Sequence, residues 1–214
     1  RDRSPSRGLG DVYKRQEMKS AEEILQQALR YKRYWGKKGG ITVSGGEALL
    51  QIDFVTELFT LAKEKGVNTC LDTSGNPFTR EEPFYSKFEK LMEVTDLFML
   101  DIKEMDEDEH KQLTGQTNKN ILDMATCLSD HGKAMWIRHV LVPGITDDDG
   151  QLHRLRAFID TLKTVERVEI LPYHTLGVFK WKELGIPYAL EDVEPPTKEQ
   201  VEHAREIIIP DYKS

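Results

Sequence analysis

Short apolar segments alternate with amphipathic helical segments along most of the chain, and this alternation restricts the fold more than any other feature. Strands that are apolar along their whole length are buried on both faces, which is typical of a parallel sheet covered by helices. The pattern predicts an α/β fold, namely a β/α barrel or part of one. The predicted strands are residues 41–43, 69–71, 97–100, 136–142 and 168–171, and the predicted helices are residues 20–35, 54–66, 84–92, 121–131 and 152–162.

Local signals mark several helix ends. Ser20 and Glu23 have the spacing of a capping box, in which each side chain accepts a hydrogen bond from a free backbone N–H of the helix start. Gly66 follows the second helical segment, where a left-handed residue often ends a helix. The acidic run at residues 147–149 precedes the last of these helices, and we interpret it as a cap that opposes the positive end of the helix dipole.

Residues 1–16 differ in composition from the remainder of the chain. They contain five Lys or Arg and two Asp residues and show no helical or strand periodicity. We expect this segment to be unstructured and foreign to the protein, in place of the natural amino-terminal region. The remaining residues, 17–214, are expected to form one domain, because their number suits a single core.

The overall charge and the cysteine content exclude several classes of protein. A formal net charge of -7 argues against a general nucleic-acid binder, because phosphate contacts require a basic surface. A mean hydropathy of -0.54, without a long apolar run, argues against a membrane-spanning protein. The two cysteines, Cys70 and Cys127, are too far apart in sequence to indicate a disulfide framework, so we expect a reducing, cytoplasmic environment.

Polar residues follow the predicted strands, at the ends where ligands bind in parallel sheets. Gly45 and Gly46 either let a ligand approach the backbone closely or serve only as a turn. Asp101 and Lys103 either bind opposite ends of a zwitterion or form a local surface salt bridge. Asp72 is interpreted as a ligand or as a turn cap, and His174, in the turn after the last strand, as a ligand or as a packed side chain.

Six motifs in this order resemble those of the pyruvate formate-lyase activating enzymes, and the resemblance extends over residues 17–209. The resemblance implies a partial (β/α)6 barrel of radical SAM type. It also implies that a 4Fe-4S cluster, reduced by a flavodoxin-like electron donor, cleaves S-adenosylmethionine reductively. The resulting 5'-deoxyadenosyl radical is then expected to remove hydrogen from a glycine of pyruvate formate-lyase. The motifs are VSGGEALLQ at 43–51, CLDTSG at 70–75, VTDLFMLDIK at 94–103, WIRHVLVPGITDDD at 136–149, ILPYHTLG at 170–177 and the two prolines at 195–196.

The resemblance also implies roles for individual residues. Arg138 is expected to contact the glycyl loop of the partner. The residues implied for a monovalent cation site are Asp72, Thr73, Asp101 and Met99, the last through its main-chain carbonyl. Those implied for S-adenosylmethionine are Gly45, Gly46, Glu47, Asp101, Ile102, Lys103 and His174.

The sequence departs from the family at the cluster. The family binds iron with three closely spaced cysteines, and iron of this kind requires soft thiolate ligands. Neither Cys70 nor Cys127 has a cysteine neighbour in the sequence. We therefore expect the first strand and the cluster loop to be missing and this chain to form no radical by itself.

Two alternative functions are kept. One is a non-catalytic module that only binds a glycyl-radical protein. The other is a phosphosugar-processing β/α barrel, in which Gly45 and Gly46 bind phosphate and Lys103 acts as a base or forms a Schiff base.

Overall fold

The structure is a computed structural model that describes residues 17–36, 39–179, 185, 187–188 and 190–210. Its strands form one parallel sheet in which the spatial order equals the chain order, and β1 and β5 are its edges within these residues. A sheet built in this sequential order is typical of a β/α barrel, so the predicted fold class is confirmed. The strands are β1 Gly40–Val43, β2 Asn68–Thr73, β3 Leu97–Asp101, β4 Met135–Leu141 and β5 Val165–Pro172. The segment 1–16 lies outside the described residues.

Helices connect and cover the strands. The capping box of Ser20 and Glu23 is confirmed, with both reciprocal hydrogen bonds formed. Asp148 accepts a hydrogen bond from the backbone N–H of Gln151, which confirms capping by the acidic run. The helices are α1 Ala21–Leu29, α2 Ile52–Glu64, α3 Phe84–Val94, α4 Glu107–Thr114, α5 Lys119–Asp130, α6 Asp149–Thr161 and α7 Lys198–Ile208.

One predicted helix needs correction, and two helices of the structure were not predicted. The helix predicted at 20–35 ends at Leu29, and a short 3₁₀ turn follows at Lys32–Tyr34. The prediction was wrong there because Tyr31 and Tyr34 are 62% and 69% exposed, so the apolar face does not continue. Helices α4 and α7 were not predicted. Helix α4 has one buried residue, His110, and therefore lacks the apolar periodicity that marks an amphipathic helix.

The two faces of the sheet carry different side chains. One face carries Leu71, Phe98, Leu100 and Ile137, all buried in the hydrophobic core beneath the helices. Each such side chain contributes about 1.5–3 kcal/mol by its burial. The residues that alternate with them are only half-buried, because they point toward the other, open face, and several are charged. Within the described residues, no helix combines the length and apolar character needed to cross a membrane.

Candidate functional site

The polar strand ends lie along one edge of the sheet. Because all neighbouring strands are parallel, the loops that follow β1, β2, β3 and β5 leave the sheet on the same side. Gly46, Asp101 and His174, which follow or end β1, β3 and β5, therefore share this edge. We call this edge, with the loops that carry Gly46, Asp101 and His174, the rim. The predicted site residues lie along it, although strands separate the outermost ones.

The turn after β1 has a backbone conformation that favours glycine. Gly45 and Gly46 have φ angles of 92° and 53°. A Cβ built on either residue meets no atom within 4 Å, so the conformation and not the available space accounts for glycine. The turn exposes consecutive backbone groups to the solvent side of the rim, where hydrogen bonds to a ligand can form.

The carboxylate of Glu47 fixes this turn to the end of β2. Its Oε1 accepts hydrogen bonds from Leu49 N at 3.0 Å and Thr73 Oγ1 at 2.5 Å. Its Oε2 accepts hydrogen bonds from Ser74 N at 2.9 Å and Ser74 Oγ at 2.5 Å. Both oxygens are thus occupied by groups of the protein itself. Glu47, predicted to bind the cofactor, here positions the Gly45–Gly46 turn.

A cluster of charges occupies the ends of β2, β3 and β4. The guanidinium of Arg138 lies between two carboxylates: it bonds Asp72 through Nη2 and Asp101 through Nε, the latter at 3.0 Å. Lys103 Nζ lies 3.4 Å from the other oxygen of Asp101, so the local salt bridge considered for this pair is present. Burial raises the pKa of Asp72, and the nearby Arg138 opposes this effect. The Asp72 carboxylate is therefore bound by Arg138 and does not cap a turn.

The residues predicted for a monovalent cation are neighbours in this cluster. Asp72 and Met99 are paired across β2 and β3, and Asp101 is paired with Arg138 across β3 and β4. Thr73 is buried, and its hydroxyl accepts a hydrogen bond from Gly75 N at 2.9 Å while donating to Glu47. In this structure the guanidinium of Arg138, itself predicted to contact a partner protein, already forms ion pairs with both carboxylates.

Two buried polar residues hold the loop after β3 in place. His139 places Nδ1 2.9 Å from the carbonyl of Ile102 and Nε2 3.0 Å from that of Thr146. Asn118 donates from Nδ2 to the carbonyls of Glu104 and Met105 at 3.0 and 2.9 Å. These contacts fix the loop that presents Asp101 and Lys103, because buried hydrogen bonds restrict the backbone conformation.

Sequence reasoning missed both of these anchoring residues. His139 shares the alternating positions of the apolar Ile137 and Leu141, and this signal could have revealed it, because buried polar groups need partners. Burial lowers the pKa of His139, whereas its contacts with the carbonyls of Thr146 and Ile102 oppose this effect. Asn118 gives no such signal, because asparagine before a helix is common in any loop.

His174 follows β5 and is exposed. It precedes a short 3₁₀ turn at Thr175–Gly177, and its side chain does not cap that turn. Tyr173 beside it is 7% exposed and fills the buried position instead. The packing interpretation of His174 is therefore wrong, and its imidazole is accessible on the rim.

The cysteines do not fit an iron–sulfur cluster. Both are free, Cys70 on β2 and Cys127 buried in α5, and burial raises the pKa of each thiol. Such a shift disfavours the thiolate that binds iron. Among the residues that the structure describes, no group of three or more His, Cys, Asp or Glu side chains is arranged to hold a metal ion.

Comparisons with known proteins agree with this architecture. The family model of the Radical SAM superfamily matches residues 6–155. The pyruvate formate-lyase-activating enzyme of Streptococcus mutans is 55% identical over 97% of this chain and 74% of its own length. The enzyme of the same name from Listeria monocytogenes is 49% identical over 89% of this chain and 77% of its own length.

Two solved structures share the fold. A domain of the pyruvate-formate lyase-activating enzyme from Bacteroides vulgatus has a TM-score of 0.64 at 21% identity, covering 80% of this chain and 93% of that domain. Streptococcus suis SuiB, bound to its precursor peptide SuiA, has a TM-score of 0.65 at 16% identity, covering 91% of this chain and 40% of SuiB. At such identities the likeness concerns the fold alone.

Proposed function

We propose, because this chain belongs to the pyruvate formate-lyase-activating enzymes of the radical SAM superfamily, that its strand ends form the S-adenosylmethionine site of a glycyl-radical activase. Reductive cleavage of S-adenosylmethionine supplies the radical chemistry of this family. The observation that supports the proposal is the rim itself. An open Gly45–Gly46 turn and an exposed imidazole at His174 lie on the same edge as the charged pair of Asp101 and Lys103.

Each group has a role that follows from its chemistry. The ammonium of Lys103 binds the carboxylate of the methionine moiety, because a positive charge on a fixed loop pairs with an anion. The backbone of Gly45 and Gly46 hydrogen-bonds the polar end of the same moiety, since no Cβ intervenes. His174 and the buried Ile102 complete the rim, His174 as a hydrogen-bonding group and Ile102 as a rigid support for its neighbours.

The proposed monovalent cation and Arg138 compete for the same carboxylates. A cation bound by Asp72, Thr73, Met99 and Asp101 requires the carboxylates that the guanidinium now bridges. We therefore infer that cation binding displaces Arg138. The displaced guanidinium then becomes available to the glycyl loop of pyruvate formate-lyase, the partner that the relatives' name indicates.

The iron–sulfur cluster does not fit the residues of this chain, since three thiolates are needed and the sequence has two distant cysteines. We propose that this polypeptide binds S-adenosylmethionine and does not cleave it by itself. A chain extended by an amino-terminal segment with the cysteine triad is expected to accept electrons from a flavodoxin-like donor and to cleave the substrate.

Equilibrium binding of S-adenosylmethionine to the chain tests the site without any cluster. Replacing Lys103 by methionine is expected to weaken binding about ten- to a hundredfold, the value of one hydrogen bond to a charged group. Lys90→Met, at an exposed position on α3, is the matched control and leaves binding unchanged. Failure of the wild-type chain to bind would refute the site.

The family chemistry is tested separately on the extended chain. After anaerobic reconstitution with iron and sulfide and reduction, it is expected to release 5'-deoxyadenosine and to give a glycyl radical signal on pyruvate formate-lyase in electron paramagnetic resonance. The unextended chain serves as the control and is expected to yield neither. Absence of 5'-deoxyadenosine from the extended chain contradicts the activase assignment.

A further inference from the structure

A small cavity whose lining includes several polar side chains lies behind the charged pair of the rim. Its volume is 190 Å³, and its walls include Ser74, Asn76, Asp101, Lys103 and His110. A water molecule takes about 30 Å³ of liquid volume, so the cavity can hold a small part of a ligand as well as water. It connects the ends of β2 and β3 with helix α4, whose residues have no role in the site described above.

His110 is the one buried residue of α4 and is 2% exposed. Its imidazole hydrogen-bonds the backbone of Glu104, and this bond favours the protonated ring, so the ring donates to the carbonyl. Among the residues that the structure describes, Nδ1 has no hydrogen-bond partner. The donor is therefore Nε2–H, and Nδ1 of the neutral ring holds an unused lone pair.

The neutral state of this ring follows from its surroundings. Burial lowers the pKa of His110, and the nearby positive charge of Lys103 lowers it further. Asn120 bonds the wall residue Asn76 through its amide nitrogen, and its buried Oδ1 is a second acceptor without a partner in the described part of the chain. Unpaired buried acceptors at a cavity indicate a missing hydrogen-bond donor, because leaving such a group unsatisfied costs about 1–3 kcal/mol.

We propose that His110 is a further binding residue, whose Nδ1 accepts a hydrogen bond from a ribose hydroxyl of the S-adenosylmethionine whose methionine carboxylate Lys103 binds at the mouth of this cavity. This inference rests on the proposed function. S-adenosylmethionine has three kinds of donor: an ammonium, ribose hydroxyls and an adenine amino group. Lys103 repels the ammonium, and the ribose lies between the methionine moiety and the adenine, so its hydroxyls are nearer than the adenine amino group to the carboxylate that Lys103 binds.

Two substitutions test the acceptor at Nδ1 separately from the hydrogen bond that Nε2 donates to the carbonyl of Glu104. In His110→Gln the amide nitrogen can take the position of Nε2 and still donate to Glu104, but the acceptor at Nδ1 is lost. In His110→Asn the amide oxygen can take the position of Nδ1, but the donor is lost. Gln112→Ala, at an exposed position of the same helix, is the matched control.

The experiment measures equilibrium binding of S-adenosylmethionine and of its 2'-deoxy and 3'-deoxy analogues to the full chain. We expect His110→Gln to weaken binding of S-adenosylmethionine about five- to tenfold, the value of one hydrogen bond. The analogue that lacks the bonded hydroxyl is expected to bind the wild type and His110→Gln equally. His110→Asn and Gln112→Ala are expected to remain close to the wild type.

Other results overturn the inference. If wild type and His110→Gln bind S-adenosylmethionine equally, the acceptor contacts no ligand and the proposed function still stands. If His110→Asn binds S-adenosylmethionine weakly while His110→Gln binds it normally, His110 affects binding only through its hydrogen bond to Glu104. If both variants lose the same affinity for all three ligands, the effect is structural. If the wild type binds none of them, the proposed function fails together with the inference.

Discussion

Replacement of Glu47 by glutamine tests how the turn at the rim is held. The substitution keeps the size of the side chain and removes its charge and one acceptor oxygen. One of the two oxygens becomes an NH₂ group, which then faces a backbone N–H of either Leu49 or Ser74. The hydroxyls of Thr73 and Ser74 can rotate to compensate, whereas a backbone N–H cannot.

The expected loss of stability follows from these contacts. One orphaned backbone N–H costs about 1–3 kcal/mol, and the bonds that remain lose their charge assistance. Together these effects predict a decrease of about 2–4 kcal/mol in the free energy of unfolding, a large part of the roughly 5–15 kcal/mol typical of a domain. The Gly45–Gly46 turn is expected to loosen as well, so affinity for S-adenosylmethionine falls.

Urea unfolding of the full chain measures this difference, and amide hydrogen exchange at residues 47–49 and 74 locates it. Glu57→Gln, at an exposed position on α2, is the matched control and is expected to change stability by less than about 0.5 kcal/mol. A Glu47→Gln variant as stable as this control, with unchanged exchange at both sites, would show that the carboxylate does not hold the turn.

Three further predictions concern charge, pH and packing. Arg138→Gln removes the cation that pairs with Asp72, whereas Asp101 keeps Lys103, and it is expected to destabilise the chain by about 2–3 kcal/mol. Potassium ions are expected to restore part of the melting temperature, and no effect of potassium would argue against the cation site. Burial holds the pKa of His110 in the folded chain below its ordinary value of 6.5. The contribution of His110 to the free energy of unfolding is therefore fully present above pH 6.5. It decreases below that pH, by at most about 1.4 kcal/mol per pH unit. Urea titrations across this range should show a flatter dependence for His110→Gln. Gly75→Ala is expected to lower the free energy of unfolding by about 1–3 kcal/mol, since φ is 72° and the new Cβ would lie 2.8 Å from a side-chain atom of Leu100. Gly66→Ala is expected to lower it by only about 1 kcal/mol, because φ is 66° but the new Cβ would meet no atom within 4 Å.

The sequence predicted the sheet because its pattern is local and repeated. Each strand is a short apolar run and most helices have an apolar face, so periodicity located β1 to β5 and the helices between them. Helix α4 was not predicted because its residues are almost all polar. Its boundaries depend on Asp106 at its start and on Gly115 in the left-handed conformation at its end.

The positions of the site residues were also predictable, since polar residues at the ends of parallel strands must share an edge. Their contacts were not. Arg138 lies 66 positions from Asp72 in sequence, yet its guanidinium bridges Asp72 and Asp101. Glu47 likewise bonds Ser74 across 27 positions. Such pairings depend on the register between strands, which a single sequence does not specify.

The sequence alone therefore determined the α/β class, the order of most elements and the edge at which polar groups gather, because these follow from local periodicity and from the geometry of parallel strands. Only the tertiary structure decided which hydrogen-bond acceptors already bind a donor of the protein and which remain available to a ligand. Glu47 has both oxygens occupied, while Nδ1 of His110 has no partner within the described ranges. Hydrogen-bond satisfaction is a property of the packed interior, where groups distant in the chain meet and water is excluded.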